Sequence, residues 1–107
     1  MTDWIDVAKE QSFVPGEKLM FDLDDATRVI IVKIEDAIYA IEDLCTHDNL
    51  SMEEGEIEGN EIVCPFHGAK FCLKSGEVTA SPAYENIATF PVQIEEGMVQ
   101  IRDGRWD

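Results

Sequence analysis

The sequence predicts an all-β domain, and three observations predict it. Apolar and polar residues alternate in short runs, as at Trp4–Val7 and Met98–Ile101, which is the period of a half-buried strand. Turn-forming residues separate these runs, at Val14–Glu17, Gly59–Asn60, Lys74–Glu77 and Glu95–Gly97. No stretch sustains a 3.6-residue period, which argues against long helices.

Taken in order, Trp4–Val7 reads as a strand, and Val14-Pro15-Gly16-Glu17 as a turn into a second strand, Lys18–Leu23. Asp22, Asp24, Asp25 and Ala26 read as a polar connection. Arg28–Glu35 is rich in β-branched residues and should be central. Asp36-Ala37 turns it into Ile38–Ile41, giving a hairpin. Glu56–Glu58 and Glu61–Val63 are short strands joined by Gly59-Asn60, since both residues tolerate positive φ. Lys70–Leu73 follows as a strand. Ser81-Pro82-Ala83-Tyr84 reads as irregular. Ala88–Ile94 reads as one strand, with Pro91 pointing to an edge or strand-start position. Met98–Ile101 is the last strand, and Arg102–Asp107 a short tail. Short strands with turns every eight to twelve residues point to a sandwich or small barrel.

A chain of 107 residues without repeats or linkers makes one domain, 1–107, with a modest core. Its net charge is −15. That charge repels phosphate backbones and argues against nucleic acid as a partner. The same field speeds encounter with a basic protein, or simply keeps the chain soluble. No apolar run reaches the length of a membrane helix. The first residues are acidic and lack the basic and apolar regions of a signal peptide, so the expected location is the cytoplasm.

The chemistry is concentrated between Cys45 and Gly68. Cys45-Thr46-His47 opens this stretch, and Cys64-Pro65-Phe66-His67-Gly68 closes it. These two clips contain both histidines of the chain and two of its three cysteines. Thiolate and imidazole are good ligands for iron and zinc. An odd number of cysteines, two of them in ligand-like clips, makes a disulfide framework a poor account. The tight hairpin at Gly59-Asn60 brings the two clips side by side at one end of a small sheet. A closed Cys₂His₂ zinc site is the alternative occupant of the same donors, although Cys-x-His spacing is unusual for zinc fingers. Cys72, the third cysteine, reads as a buried small hydrophobe on a strand. Trp4 and Trp106 read as packing or surface residues. Phe66 either meets a partner at the tip of the second clip or seals the site from water.

Cys45-x-His47 followed by Cys64-Pro65-x-His67-Gly68 resembles the Rieske signature, in which two loops grip a [2Fe–2S] cluster. The resemblance covers nearly the whole chain, and the chain is about the size of a free-standing Rieske ferredoxin. It implies a Rieske-type β-sandwich with a small inserted cluster-binding subdomain, about residues 45–78. It also implies one cluster per chain, with Cys45 and Cys64 on one iron and His47 and His67 on the other. Ser81–Tyr84 resembles the proline-containing loop that covers the cluster in this family.

With four protein ligands neither iron has an open position, so the implied chemistry is outer-sphere electron transfer. Both histidines are then used, which leaves no 2-His-1-carboxylate set for a hydroxylating iron. High-potential members carry a disulfide between the clips and hydroxyl donors to the cluster sulfurs. Here Phe66 takes the place of the extra Cys, and Ala69 and Phe71 replace the hydroxyl donors. Fewer donors make reduction harder, so the expected potential is at the low end of the family range, around −150 mV. Glu42, Asp43, Asp48, Glu53, Glu54, Glu56, Glu58 and Glu61 crowd the same region. They form a solvated face or a docking surface for a basic partner. The resemblance therefore implies an electron carrier rather than an enzyme. It would take electrons from a flavin-dependent ferredoxin reductase and pass them to the terminal oxygenase of an aromatic-ring-hydroxylating system. A Rieske-like small subunit of an assimilatory nitrite reductase is the other reading.

Overall fold

The expected central strand is buried on both of its faces, and the fold is stacked in layers around it. The computed structural model describes residues 4–24, 27–35, 37–43, 53–65, 68–80 and 86–102. Among these residues the strands are β1 (Ile5–Lys9), β2 (Lys18–Asp24), β3 (Thr27–Ile34), β4 (Ala37–Glu42), β5 (Ile57–Glu58), β6 (Glu61–Val63), β7 (Lys70–Cys72), β8 (Val78–Ala80), β9 (Thr89–Phe90), β10 (Val92–Glu95) and β11 (Met98–Ile101). One 3₁₀ turn, Glu10–Ser12, follows β1. No helix among the described residues is long and apolar enough to cross a membrane.

The strands form three sheets, ordered β1-β11-β10, β2-β3-β4-β9 and β5-β6-β7-β8, and every pairing is antiparallel. The second sheet lies in the middle. Val29 and Ile31 of β3, with Leu19, Phe21, Ile38 and Ala40, share a core with Val99 and Ile101 of the first sheet. Ile30 and Val32, with Met20, Tyr39 and Ile41, share the other core with Ile62 and Phe71 of the third sheet. Alternate side chains leave a strand on opposite faces. A strand with a layer on each side must therefore be apolar at every position, which is why Val29-Ile30-Ile31-Val32 is a continuous run. This is the expected sandwich with a small sheet inserted between β4 and β9.

Three segments differ from the sequence-based expectation, the first being β8, Val78–Ala80, where no strand was expected. Asp22 and Asp24 belong to β2, which pairs with β3 through Asp24 opposite Thr27, with a register shift between Asp22 and Asp24. The run Ala88–Ile94 is not one strand. Phe90 pairs with Ala40 in the middle sheet, whereas Val92 pairs with Ile101 in the first sheet. Pro91 is the corner between them. It has no N–H to give to a ladder, so a strand can change sheets there without losing a donor.

The inserted sheet is tied down where the chain enters and leaves it. The Glu42 amide donates to the Ala88 carbonyl at 2.9 Å, and the Asp43 amide to the Arg28 carbonyl at 2.8 Å. Several of the few basic side chains act as ties as well. Lys18 donates to the Gly55 carbonyl. Arg28 lies 3.2 Å from Asp22 and 3.8 Å from Glu53, and Lys70 lies 3.2 Å from Glu58.

Candidate metal centre

The second clip is the hairpin loop between β6 and β7. Val63 pairs with Lys70, and beyond that pair the loop closes on itself. The Cys64 amide donates to the Ala69 carbonyl at 2.7 Å, and the Gly68 amide donates to the Cys64 carbonyl at 3.1 Å. Gly68 adopts φ 79, in the left-handed region where a side chain is disfavoured. Pro65 ends the β6 ladder because it lacks a donor. Thus Pro65 and Gly68 each have a local reason in the turn that carries Cys64.

Cys64 is 1% exposed. It belongs to the core formed with Ile30, Val32, Ile41, Ile62, Ala69, Phe71, Leu73 and Ile87. The middle sheet therefore backs the clip, and the loop cannot shift without disturbing both layers. Ala69 and Phe71 are each 0% exposed, so the positions noted for their missing hydroxyls are enclosed within the same core.

Of the four candidate ligands, Cys64 is described. Cys45, His47 and His67 lie outside the described residues, as do Phe66, Tyr84 and Trp106. The chemistry of the donor set fits a [2Fe–2S] group at its described member. A soft sulfur donor withdrawn from solvent, on a loop stiffened by two backbone hydrogen bonds, suits a metal-held thiolate better than a reactive surface thiol. Cys64 would supply one thiolate, and the proposed partners would supply the rest.

Cys72 departs from expectation. It is half-buried rather than buried, and lies on the outward side of β7, opposite Glu61 of β6. The Ser75 hydroxyl, then the backbone of Ser75 and of Lys74, hold its thiol below the ordinary cysteine value, against the opposing effect of burial. Strand alternation, with Phe71 inward, was the signal in the sequence that placed Cys72 outward.

Residues away from the clips also shape the site. The Ile87 amide donates to the Gly76 carbonyl at 2.9 Å, and the Val78 amide to the Asn86 side-chain oxygen at 3.0 Å. Gly76, at φ 77, sits so close to the returning chain that a Cβ there would lie 2.2 Å from the Ile87 oxygen. Ile87 shares its core with Cys64, so this junction fixes one wall of the core behind the clip. A glycine in a turn-rich sequence gives no sign of such a long-range contact.

Comparison with known proteins is consistent over most of the chain. Residues 3–91 match the family model for the Rieske [2Fe-2S] domain. The chain is 34% identical over 98 residues to the ferredoxin component of the naphthalene 1,2-dioxygenase system of Pseudomonas putida, covering 92% of this chain and 93% of that one. It is 39% identical over 87 residues to the 3-phenylpropionate/cinnamic acid dioxygenase ferredoxin subunit of Escherichia coli (strain K12), covering 80% of each. Among solved structures, it matches a chain in the complex of reduced oxygenase and oxidized ferredoxin of carbazole 1,9a-dioxygenase. The TM-score is 0.87 and the identity 33%, covering 92% of this chain and 91% of that one. A putative NADH-dependent nitrite reductase small subunit from Mycobacterium tuberculosis shares the fold, with TM-score 0.84 and 19% identity, covering 96% of each. With a matching strand architecture, a closed Cys64–Ala69 turn and a family match across most of its length, this chain belongs to the Rieske family and carries a [2Fe–2S] cluster.

Proposed function

We propose that this protein is the electron-carrier component of a multicomponent ring-hydroxylating dioxygenase system. In this reading it accepts single electrons from a flavoprotein ferredoxin reductase, delivers them to a terminal oxygenase, and performs no bond-making step itself. Chain 1–107 acts as one domain in the cytoplasm, with residues of about 45–78 as its cluster-binding part. Cys45 and Cys64 hold one iron, and His47 and His67 the other. The cluster supplies a one-electron couple with no open coordination position.

The chain's own residues would set how that couple is used. The enclosed Cys64 turn keeps water from the sulfur side. Ala69 and Phe71 offer no hydroxyl to a sulfide, which favours a low potential. The net charge of −15 draws the protein toward a basic face on either partner. The observation that carries the reading is the buried Cys64 on its closed turn, in a chain whose near-full-length relatives are named as ferredoxin components. The nitrite reductase alternative is weaker, because its likeness stands at 19% identity and speaks for the fold alone.

The test is reconstitution. Dithionite-reduced protein should give the low average g value of a cluster with two histidine ligands. Oxygenase turnover with a flavin reductase should stop when this protein is left out. A colourless protein binding one zinc ion, or turnover that ignores its presence, would overturn the proposal.

A further inference from the structure

Both ends of the segment that carries Cys45 and His47 return to one residue, Arg28, at the start of β3. The Arg28 carbonyl accepts the Asp43 amide at 2.8 Å, where the chain leaves β4. The Arg28 guanidinium reaches Glu53 at 3.8 Å, shortly before β5 begins. Residues 44–52 run between these two points and include the first clip.

Strand alternation explains how one residue serves both ends. Ile30 and Val32 of β3 belong to the core shared with the inserted sheet. Arg28 comes two residues before Ile30 and so lies on that same face. Asp22 stands opposite Arg28 on β2 and holds its Nε at 3.2 Å, which leaves Nη1 to Glu53. Lys18 and Met20 occupy the same face of β2, opposite Val32 and Ile30. Lys18 donates to the carbonyl of the buried Gly55. Residues 53–55 are thus drawn against the β2–β3 hairpin at two points.

We propose that Arg28 is a positioning residue for the first clip. Its carbonyl and its guanidinium close the base of the segment 44–52, so the chain bearing Cys45 and His47 has less freedom to lose when it grips the cluster. The Arg28 and Glu53 side chains are 46% and 55% exposed, so the ion pair itself contributes little energy. It acts through the loop that it closes, rather than as a charge felt by the irons. The inference rests on the reading of Cys45 and His47 as ligands.

The test is a double-mutant cycle on the holoprotein with Arg28→Gln, Glu53→Gln and both together, which isolates the pair from other contacts of either residue. Cluster loss to excess EDTA, followed as bleaching of the visible absorption, requires the clip to open. Each single variant should lose the cluster about threefold faster, the size expected of a half-exposed ion pair, and the double variant no faster than either. At about 1 M salt, where the screening length is about 3 Å, the difference from the unaltered protein should vanish. The reduction potential separates position from charge. A looser clip admits water, which stabilises the charge gained on reduction. Both single variants should therefore favour the reduced form about twofold, or ~18 mV at ~59 mV per tenfold. A through-space charge effect would lower the potential in Arg28→Gln and raise it in Glu53→Gln. Lys33→Gln, which removes a charge from the same strand, should leave cluster loss unchanged. Opposite potential shifts, additive rates, or an equal effect of Lys33→Gln would overturn the proposal. A Cys45→Ala protein that kept the reduced-state EPR signal would overturn the ligand reading, and the proposal with it.

Discussion

The Cys64 amide and the Ala69 carbonyl meet at 2.7 Å, so the proposed sulfur ligand and the residue lacking the hydroxyl close the same turn. If Cys64 is a ligand as proposed, its placement and any tuning at Ala69 share one backbone turn, and two substitutions test this.

Removing the thiol tests the first half of this link. Cys64→Ala should abolish the visible absorption and the reduced-state EPR signal. It should also lower the melting temperature, because the free energy of metal binding is available only to the folded chain. Cys72→Ala, on the outward face of the same sheet, should keep both signals. Optical and EPR spectra of the two variants check this, and a coloured Cys64→Ala protein would remove Cys64 from the ligand set.

Restoring a hydroxyl tests the second half. Ala69→Ser places a donor in the enclosed core beside Cys64. A hydrogen bond to a group that gains negative charge on reduction favours the reduced form. The potential should rise by on the order of 50 mV, which corresponds to slightly less than tenfold in the one-electron equilibrium. Potentiometric titration measures it, and an unchanged or lower potential would refute the tuning argument.

The close approach of Gly76 to Ile87 predicts a stability effect far from any ligand. Gly76→Ala introduces both an unfavourable φ and a contact of 2.2 Å with a backbone oxygen that cannot move aside easily. The cost should be at least about 2 kcal/mol, which lowers the melting temperature by roughly 10 °C in a domain of this size. Thermal melts followed by circular dichroism check it. The cluster should also bleach sooner on heating, since Ile87 walls the same core as Cys64.

The Cys72 thiol should react as a thiolate at lower pH than an ordinary cysteine. The Ser75 hydroxyl stabilises the charged form, so the folded value is depressed and the thiolate persists as pH falls through the usual range. Alkylation by iodoacetamide, measured as rate against pH, should have its midpoint below that of an ordinary free cysteine. Ser75→Ala should move the midpoint upward. The same hydroxyl accepts the Glu77 amide at 3.2 Å, so Ser75→Thr is the conservative control and should retain the low midpoint.

Much of this protein is written locally. The alternation at Met98–Ile101, the β-branched run of β3 and the turn at Gly59-Asn60 are short-range signals, and the strands formed where they pointed. The two Cys/His clips are local as well, because ligand chemistry depends on residue type and spacing within a loop. Cys45, His47, Cys64 and His67 could thus be named as candidate ligands before any fold was known.

Other features depended on residues distant in the chain. Pro91 marks a break in pairing, but only the positions of β4 and β11 decided that the two halves of its strand join different sheets. Gly76 resembles any turn glycine until Ile87 returns beside it. Sequence alone determined which residues are the candidates for the chemistry and the period of most strands, since both follow from side-chain type and near neighbours. Tertiary structure decided where strands change partners and which turn has no room for a side chain, because each depends on which distant segment packs alongside.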